Sequence, residues 1–128
     1  MLKKITPILI VAAIEPVLPF WQALGFKEVV VVPHGDHIGF VILVRDNVEV
    51  MYQTEASAEA DTPGSLKGPR PIGASAVYIE VDDFDAIEKL IPKDAPVVTP
   101  RRIAPYGSTE IFVRDPAGNI IGFAKPGA

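Results

Sequence analysis

Cysteine is absent from this 128-residue chain. There is no disulfide framework, no thiol nucleophile and no thiolate metal site to consider. Histidine is scarce: His34 and His37 are the only two, so any imidazole-based mechanism has to use them. They stand in the run PHGDH, where Gly35 and Asp36 already supply the chemistry of a solvated turn, and the spacing is a weak metal signal. A basic excess is missing as well. Twelve basic against 16 acidic residues leave a net charge of −4, which argues against a nucleic-acid partner, whose binder carries a basic stripe. No apolar run is long enough to span a membrane. The basic start Met1-Leu2-Lys3-Lys4 and the apolar ITPILIVAAI have the outline of a signal peptide. Pro7 interrupts that run, however, and Glu15-Pro16 stops it, so a first strand and a cytoplasmic location are expected. Neither a Ser-His-Asp arrangement nor a Gly-rich phosphate loop occurs.

What is present belongs to a folded domain. Apolar residues make up 48% of the chain and charged ones 22%, well outside the composition of disorder. The continuous apolar run from Lys4 to Val11 predicts a strand buried on both faces. Val17, Phe20, Trp21 and Leu24 then recur at the spacing of one helical face. Pro16 fits the first turn of that helix and Gly25 its C-cap. Three strands are expected next: Glu28 to Pro33, Ile38 to Arg45 and Val48 to Gln53. Residues 55–73, rich in Ala, Ser, Pro and Gly, read as a linker or mobile loop over no sustained period.

The pattern then restarts. Ala74 to Val81 is a strand, and Asp83 caps a helix with an apolar face of Phe84, Ile87, Leu90 and Ile91. Pro96 to Thr99 is a strand and Pro100 to Pro105 a loop. The chain closes with a hairpin whose turn, Asp115-Pro116-Ala117-Gly118-Asn119, carries its own chemistry: Asp to accept locally, Pro to preset φ, Gly to take a positive φ. Val44-Arg45-Asp46 and Val113-Arg114-Asp115 end the third strand of each half alike. The expectation is an α+β fold of two βαβββ modules, 3–54 and 74–127, whose sheets form a curved, partly open surface.

Three stretches carry a resemblance: FWQALGF (20–26), GFVILVRDNVEVMYQ (39–53) and YGSTEIFVRDPAGNIIGF (106–123), the last close to a DPxGN signature. In these the chain resembles the vicinal oxygen chelate superfamily of glyoxalases, bleomycin resistance proteins and dioxygenases. The resemblance implies a cup-shaped mixed sheet and a homodimer. It also implies a divalent metal held by His and Glu on the first and last strands of each module. Those positions fall here at Thr6, Glu49, Ala76 and Gly122. Only Glu49 is a conventional ligand, where an open catalytic site needs about three, so no metal and no cofactor are expected.

Within the superfamily the chain looks most similar to the bleomycin resistance proteins. That likeness implies sequestration of an aromatic or cationic small molecule in a crevice at a dimer interface, without catalysis. Tyr78 and Tyr106 stand at its aromatic positions. Glu110 shares a strand face with Ser108, Phe112 and Arg114 by alternation, and a carboxylate beside aromatics suits a cation. Ligand-binding candidates are therefore Tyr78, Tyr106, Glu110, Phe112 and Glu49. The plainer reading of Glu110 is a sheet-surface carboxylate paired with a basic neighbour, and that of the two tyrosines is core packing; Trp21 is expected in the core and Arg101-Arg102 in a solvated loop. A metal-dependent lyase, isomerase or dioxygenase, and an interaction module without ligand, are the alternatives.

Overall fold

Both halves of the repeat fold as β-α-β-β-β in the structure, a computed structural model that describes residues 1–68 and 74–127. The chain divides into two compact units, Met1–Ile72 and Gly73–Ala128. The first holds β1 (Ile8–Val11), α1 (Leu18–Ala23), β2 (Lys27–His34), β3 (His37–Arg45), β4 (Val48–Thr54) and α2 (Glu55–Asp61). The second holds β5 (Ala76–Glu80), α3 (Phe84–Leu90), β6 (Val97–Ile103), β7 (Thr109–Arg114) and β8 (Ile120–Lys125). Each unit builds one four-stranded mixed sheet, ordered β1-β4-β3-β2 and β5-β8-β7-β6. The first strand of each runs parallel to the last, and the other pairings are antiparallel. The protein is thus α+β, as expected. Among the described residues no helix is long and apolar enough to cross a membrane.

In the first unit the helix closes one face of the sheet. Val17, Phe20, Trp21 and Leu24 are all buried, as are Leu9, Val11, Val41, Leu43, Val50 and Tyr52 on the strands. Trp21 is core: its ring meets Phe20, Phe26 and Tyr52 edge-on, and its Nε1 donates to the Tyr52 hydroxyl at 2.9 Å. Burying the large ring is affordable because its one polar atom has a partner.

Three expectations need correction. β1 is not covered on both faces: Leu9 and Val11 are buried, while Ile8 and Ile10 are 49% and 42% exposed, because α1 covers only one side. The supposed linker begins with a helix, α2. Thr54 caps it by accepting from the Ser57 N–H at 3.2 Å, and the Glu-Ala-Ser-Ala-Glu-Ala run has enough helix propensity to follow. The end of that linker, 69–73, lies outside the described residues. Finally, β6 runs on to Ile103 through two register shifts. A bulged edge strand accommodates Pro100, which would break a regular central one.

Candidate functional site

The hairpin of β7 and β8 organises the second unit from its turn outward. Asp115 is buried, and its Oδ1 accepts from the Ala117 and Asn119 N–H groups at 3.0 and 2.8 Å. Gly118, at φ +90°, donates its N–H to the Asp115 carbonyl at 3.0 Å, a backbone shape that a β-carbon would oppose. Asn119 reaches outward and accepts from Ser75 N–H at 3.2 Å, which ties the start of β5 to the turn. The repeated Val-Arg-Asp does different work in each unit. Arg114 donates to the Gly118 carbonyl at 2.7 Å, whereas Arg45 donates to the Leu24 carbonyl at 2.6 Å and closes the end of α1.

With that register, three side chains come to a single carboxylate. Tyr78 lies in the row of Gly122 and Phe112, and Glu110 in the row of Ala124 and Arg102. Tyr106 arrives from the β6–β7 loop. There the Gly107 N–H bonds the Ala104 carbonyl and the Ala104 N–H bonds the Ser108 carbonyl, both at 2.8 Å. Gly107 takes a φ of +95° in this turn. The Tyr78 and Tyr106 hydroxyls both donate to Glu110 Oε2, and Arg102 Nη2 donates to Oε1 at 3.2 Å.

Glu110 has no exposed surface, while Tyr78 and Tyr106 are 47% and 67% exposed. The carboxylate therefore lies beneath two open phenol rings. The two phenol O–H groups, Tyr106 first, and then Arg102 hold its pKa below the usual carboxylate range against the opposing effect of burial. The bond to Glu110 and the closeness of Tyr78 push the Tyr106 phenol up. Charge-assisted bonds of this kind are the strong ones.

Phe112 completes the face. Its ring lies 6.1 Å from that of Tyr78 at a 36° tilt, and it covers Gly122 so closely that a β-carbon there would meet it at 2.5 Å. Four sequence candidates, Tyr78, Tyr106, Glu110 and Phe112, thus come together. Arg102 joins them and was missed. Its signal was available: residues 102 and 110 are equidistant from Tyr106, as paired positions of one hairpin must be. Arg101, its neighbour, points elsewhere, bonding Asp85 and Glu88 on α3 at 2.8 Å each over the Phe84 ring. Neither arginine is the bare solvated residue expected.

The fifth candidate, Glu49, belongs to the first unit. Its Oε2 pairs with the Lys4 ammonium and lies 3.4 Å from Thr6 Oγ1. The segment leading into β1 does bring Thr6 to Glu49, but the Lys4 ammonium already pairs with that carboxylate. At the matching positions of the second unit, Ala76 has no donor and Gly122 lies under the Phe112 ring. The residues present do not fit the superfamily's metal. Among the described residues no three His, Asp or Glu side chains gather as a metal cluster. His34 and His37 flank the β2–β3 turn, as read, and line a cavity of about 270 Å³ with Glu15 and Thr54. Glu15 accepts from the Ile38 N–H at 2.8 Å, which with nearby His37 lowers its pKa.

Comparison with known proteins follows the same lines. The family "Glyoxalase/Bleomycin resistance protein/Dioxygenase superfamily" matches residues 4–123. TioX from Micromonospora sp. ML1 is similar in structure, with a TM-score of 0.77 at 18% identity, over 97% of this chain and 98% of that one. Lactoylglutathione lyase from Agrobacterium tumefaciens gives 0.73 at 18% identity, over 96% and 92%. A glyoxalase/bleomycin resistance protein/dioxygenase from Nocardioides gives 0.74 at 18% identity, over 99% and 85%. At such identities the likeness is one of fold. No curated protein matches the sequence. Fold, repeat and family match agree: the chain belongs to the glyoxalase/bleomycin resistance protein/dioxygenase superfamily.

Proposed function

We propose that the protein is a metal-independent binder of a small aromatic molecule, which it sequesters without altering. The observation that carries this reading is the pair of exposed phenol rings whose hydroxyls converge on the buried Glu110. Rings locked by such bonds lose little entropy when a planar ligand stacks on them. The cationic half of the expectation has less support. A cation would need a carboxylate oxygen to approach, and Glu110 has none exposed. The metal-dependent alternative lacks its donor set, since Ala76 and Gly122 offer no side-chain ligand.

Tyr106→Ala is expected to weaken binding of an aromatic ligand at least about tenfold, the scale of a lost aromatic contact. The fold should survive, because the ring is exposed. Isothermal titration with a panel of planar aromatics, alongside circular dichroism, reads both quantities. Unchanged affinity in a folded variant would remove Tyr106 from the site.

The proposed working form is a homodimer. It is supported by apolar surface a lone chain leaves in water: Ile8 and Ile10 on β1, and Val29 to Val32 along the edge strand β2. Such surface favours a covering partner. Light scattering coupled to gel filtration should give twice the 13.8 kDa chain mass; a monomer at micromolar concentration would refute the dimer.

A further inference from the structure

The hydrogen-bond polarity of the Glu110 cluster says what kind of aromatic molecule it selects. Each phenol owns one proton, and both protons are directed at Glu110 Oε2. Toward solvent the two phenol oxygens can then only accept. Glu110 is closed off, with both oxygens engaged by Tyr78, Tyr106 and Arg102.

Arg102 is the reverse case. Its side chain is 48% exposed and spends one N–H on Glu110, so part of its five-donor fork is open to solvent. The charge that a ligand meets at this face is therefore the guanidinium. The carboxylate that balances it lies underneath. Other charges on the face do not reverse this. Arg114 is turned to the Gly118 carbonyl. Glu80 is exposed but sits in β5, at the opposite edge of the sheet from Arg102, about 14 Å away at three strand spacings.

Resting on the binding reading above, we infer that the ligand is a planar aromatic acid. Its ring would lie against Tyr106 and Tyr78, its anionic oxygens on the solvent-open N–H groups of Arg102, and any ring hydroxyl or N–H on a phenol oxygen. Guanidinium and carboxylate match as two planar forks, which gives direction as well as attraction.

Three probes of one shape and different charge separate the possibilities: naphthoate, naphthamide and naphthylmethylammonium, titrated into the full chain and followed by their own emission. Naphthoate should bind at least about tenfold tighter than the ammonium probe, the scale of one charge-assisted hydrogen bond. Salt should narrow that ratio. Arg102→Gln keeps an N–H for Glu110 and should collapse the ratio to within about threefold. Arg102→Lys keeps the charge without the fork and should retain part of it.

Equal affinities, or a preference for the ammonium probe, in the unmodified protein would overturn the acid assignment and leave aromatic binding standing. So would a naphthoate preference that survives Arg102→Gln. Failure of all three probes to bind would bring down the binding reading itself, and the acid assignment with it.

Discussion

Replacing Glu110 with alanine should lower the melting temperature by at least about 5 °C and release Tyr78 and Tyr106 from their shared position. Three donors converge on this carboxylate, and alanine leaves all of them without it. Each is a bond to a charged group, worth about 1.5–3 kcal/mol, and alanine also leaves a gap where the fully buried side chain stood. Glu110→Gln keeps an oxygen for the phenols and is the finer instrument, because it removes the titration while preserving much of the shape.

The sign of the pH dependence follows from the two shifted groups. Glu110 is held below its ordinary value of 4.5, so between its folded and ordinary values the unfolded chain binds the extra proton. Its contribution is complete above the ordinary value and is lost as pH falls through the folded one. Tyr106 is pushed above its ordinary value of 10.0. Its contribution is complete below that value and is lost as pH rises through the folded one. The cluster is therefore most stable between these limits. Melting temperatures followed downward from about pH 5 should show a steeper acid limb in the unmodified protein than in Glu110→Gln. Tyrosinate absorbance should show Tyr106 ionising earlier in that variant. Superimposable acid limbs would mean that Glu110 titrates alike in the folded and unfolded chain.

The second large effect is expected at the hairpin turn. Asp115→Ala should cost about 2–4 kcal/mol, since two N–H groups lose the acceptor that buried Asp115 supplies and each orphaned donor costs about 1–3 kcal/mol. Urea denaturation measures it. A loss below about 0.5 kcal/mol, the range of an inconsequential surface change, would show that the backbone pair between Asp115 and Asn119 closes the turn unaided. The consequence would reach the site, because this turn sets the register of β7 and hence the place of Glu110. Asp115→Asn, which keeps one side-chain oxygen, should be milder.

Asp46, at the corresponding place in the first unit, is a useful contrast. It adopts a φ of +52° and is exposed, with neither of the N–H partners that Asp115 holds. The same Val-Arg-Asp tripeptide is thus structural glue in one unit and a surface turn in the other. The local pattern could not distinguish them, because the difference lies in what covers each turn.

The sequence by itself determined the local events. Hydrophobic spacing placed Trp21 and its neighbours on one helix face, and Asp-Pro-Ala-Gly-Asn specified a turn whose hydrogen bonds are those its residue types can make. Asp83 capped α3 as its position demanded, accepting from the Ala86 N–H at 3.1 Å. The repeat and its two βαβββ modules were legible because each element carries its own period. Alternation also placed Glu110 and Phe112 on one strand face, which is half of the site.

Only the tertiary structure decided what Glu110 faces. Whether that carboxylate is a surface charge or a buried anchor depends on Tyr106 folding back from its loop and on β6 running on past Thr99 to Ile103, which brings up Arg102. Those are contacts across strands, set by register and bulges, and a one-residue slip would have sent Arg102 to the opposite face. The same dependence on neighbours explains the open face of β1. Burial and hydrogen-bond partners belong to pairs of elements, and a pattern read along one strand specifies only its own member of each pair.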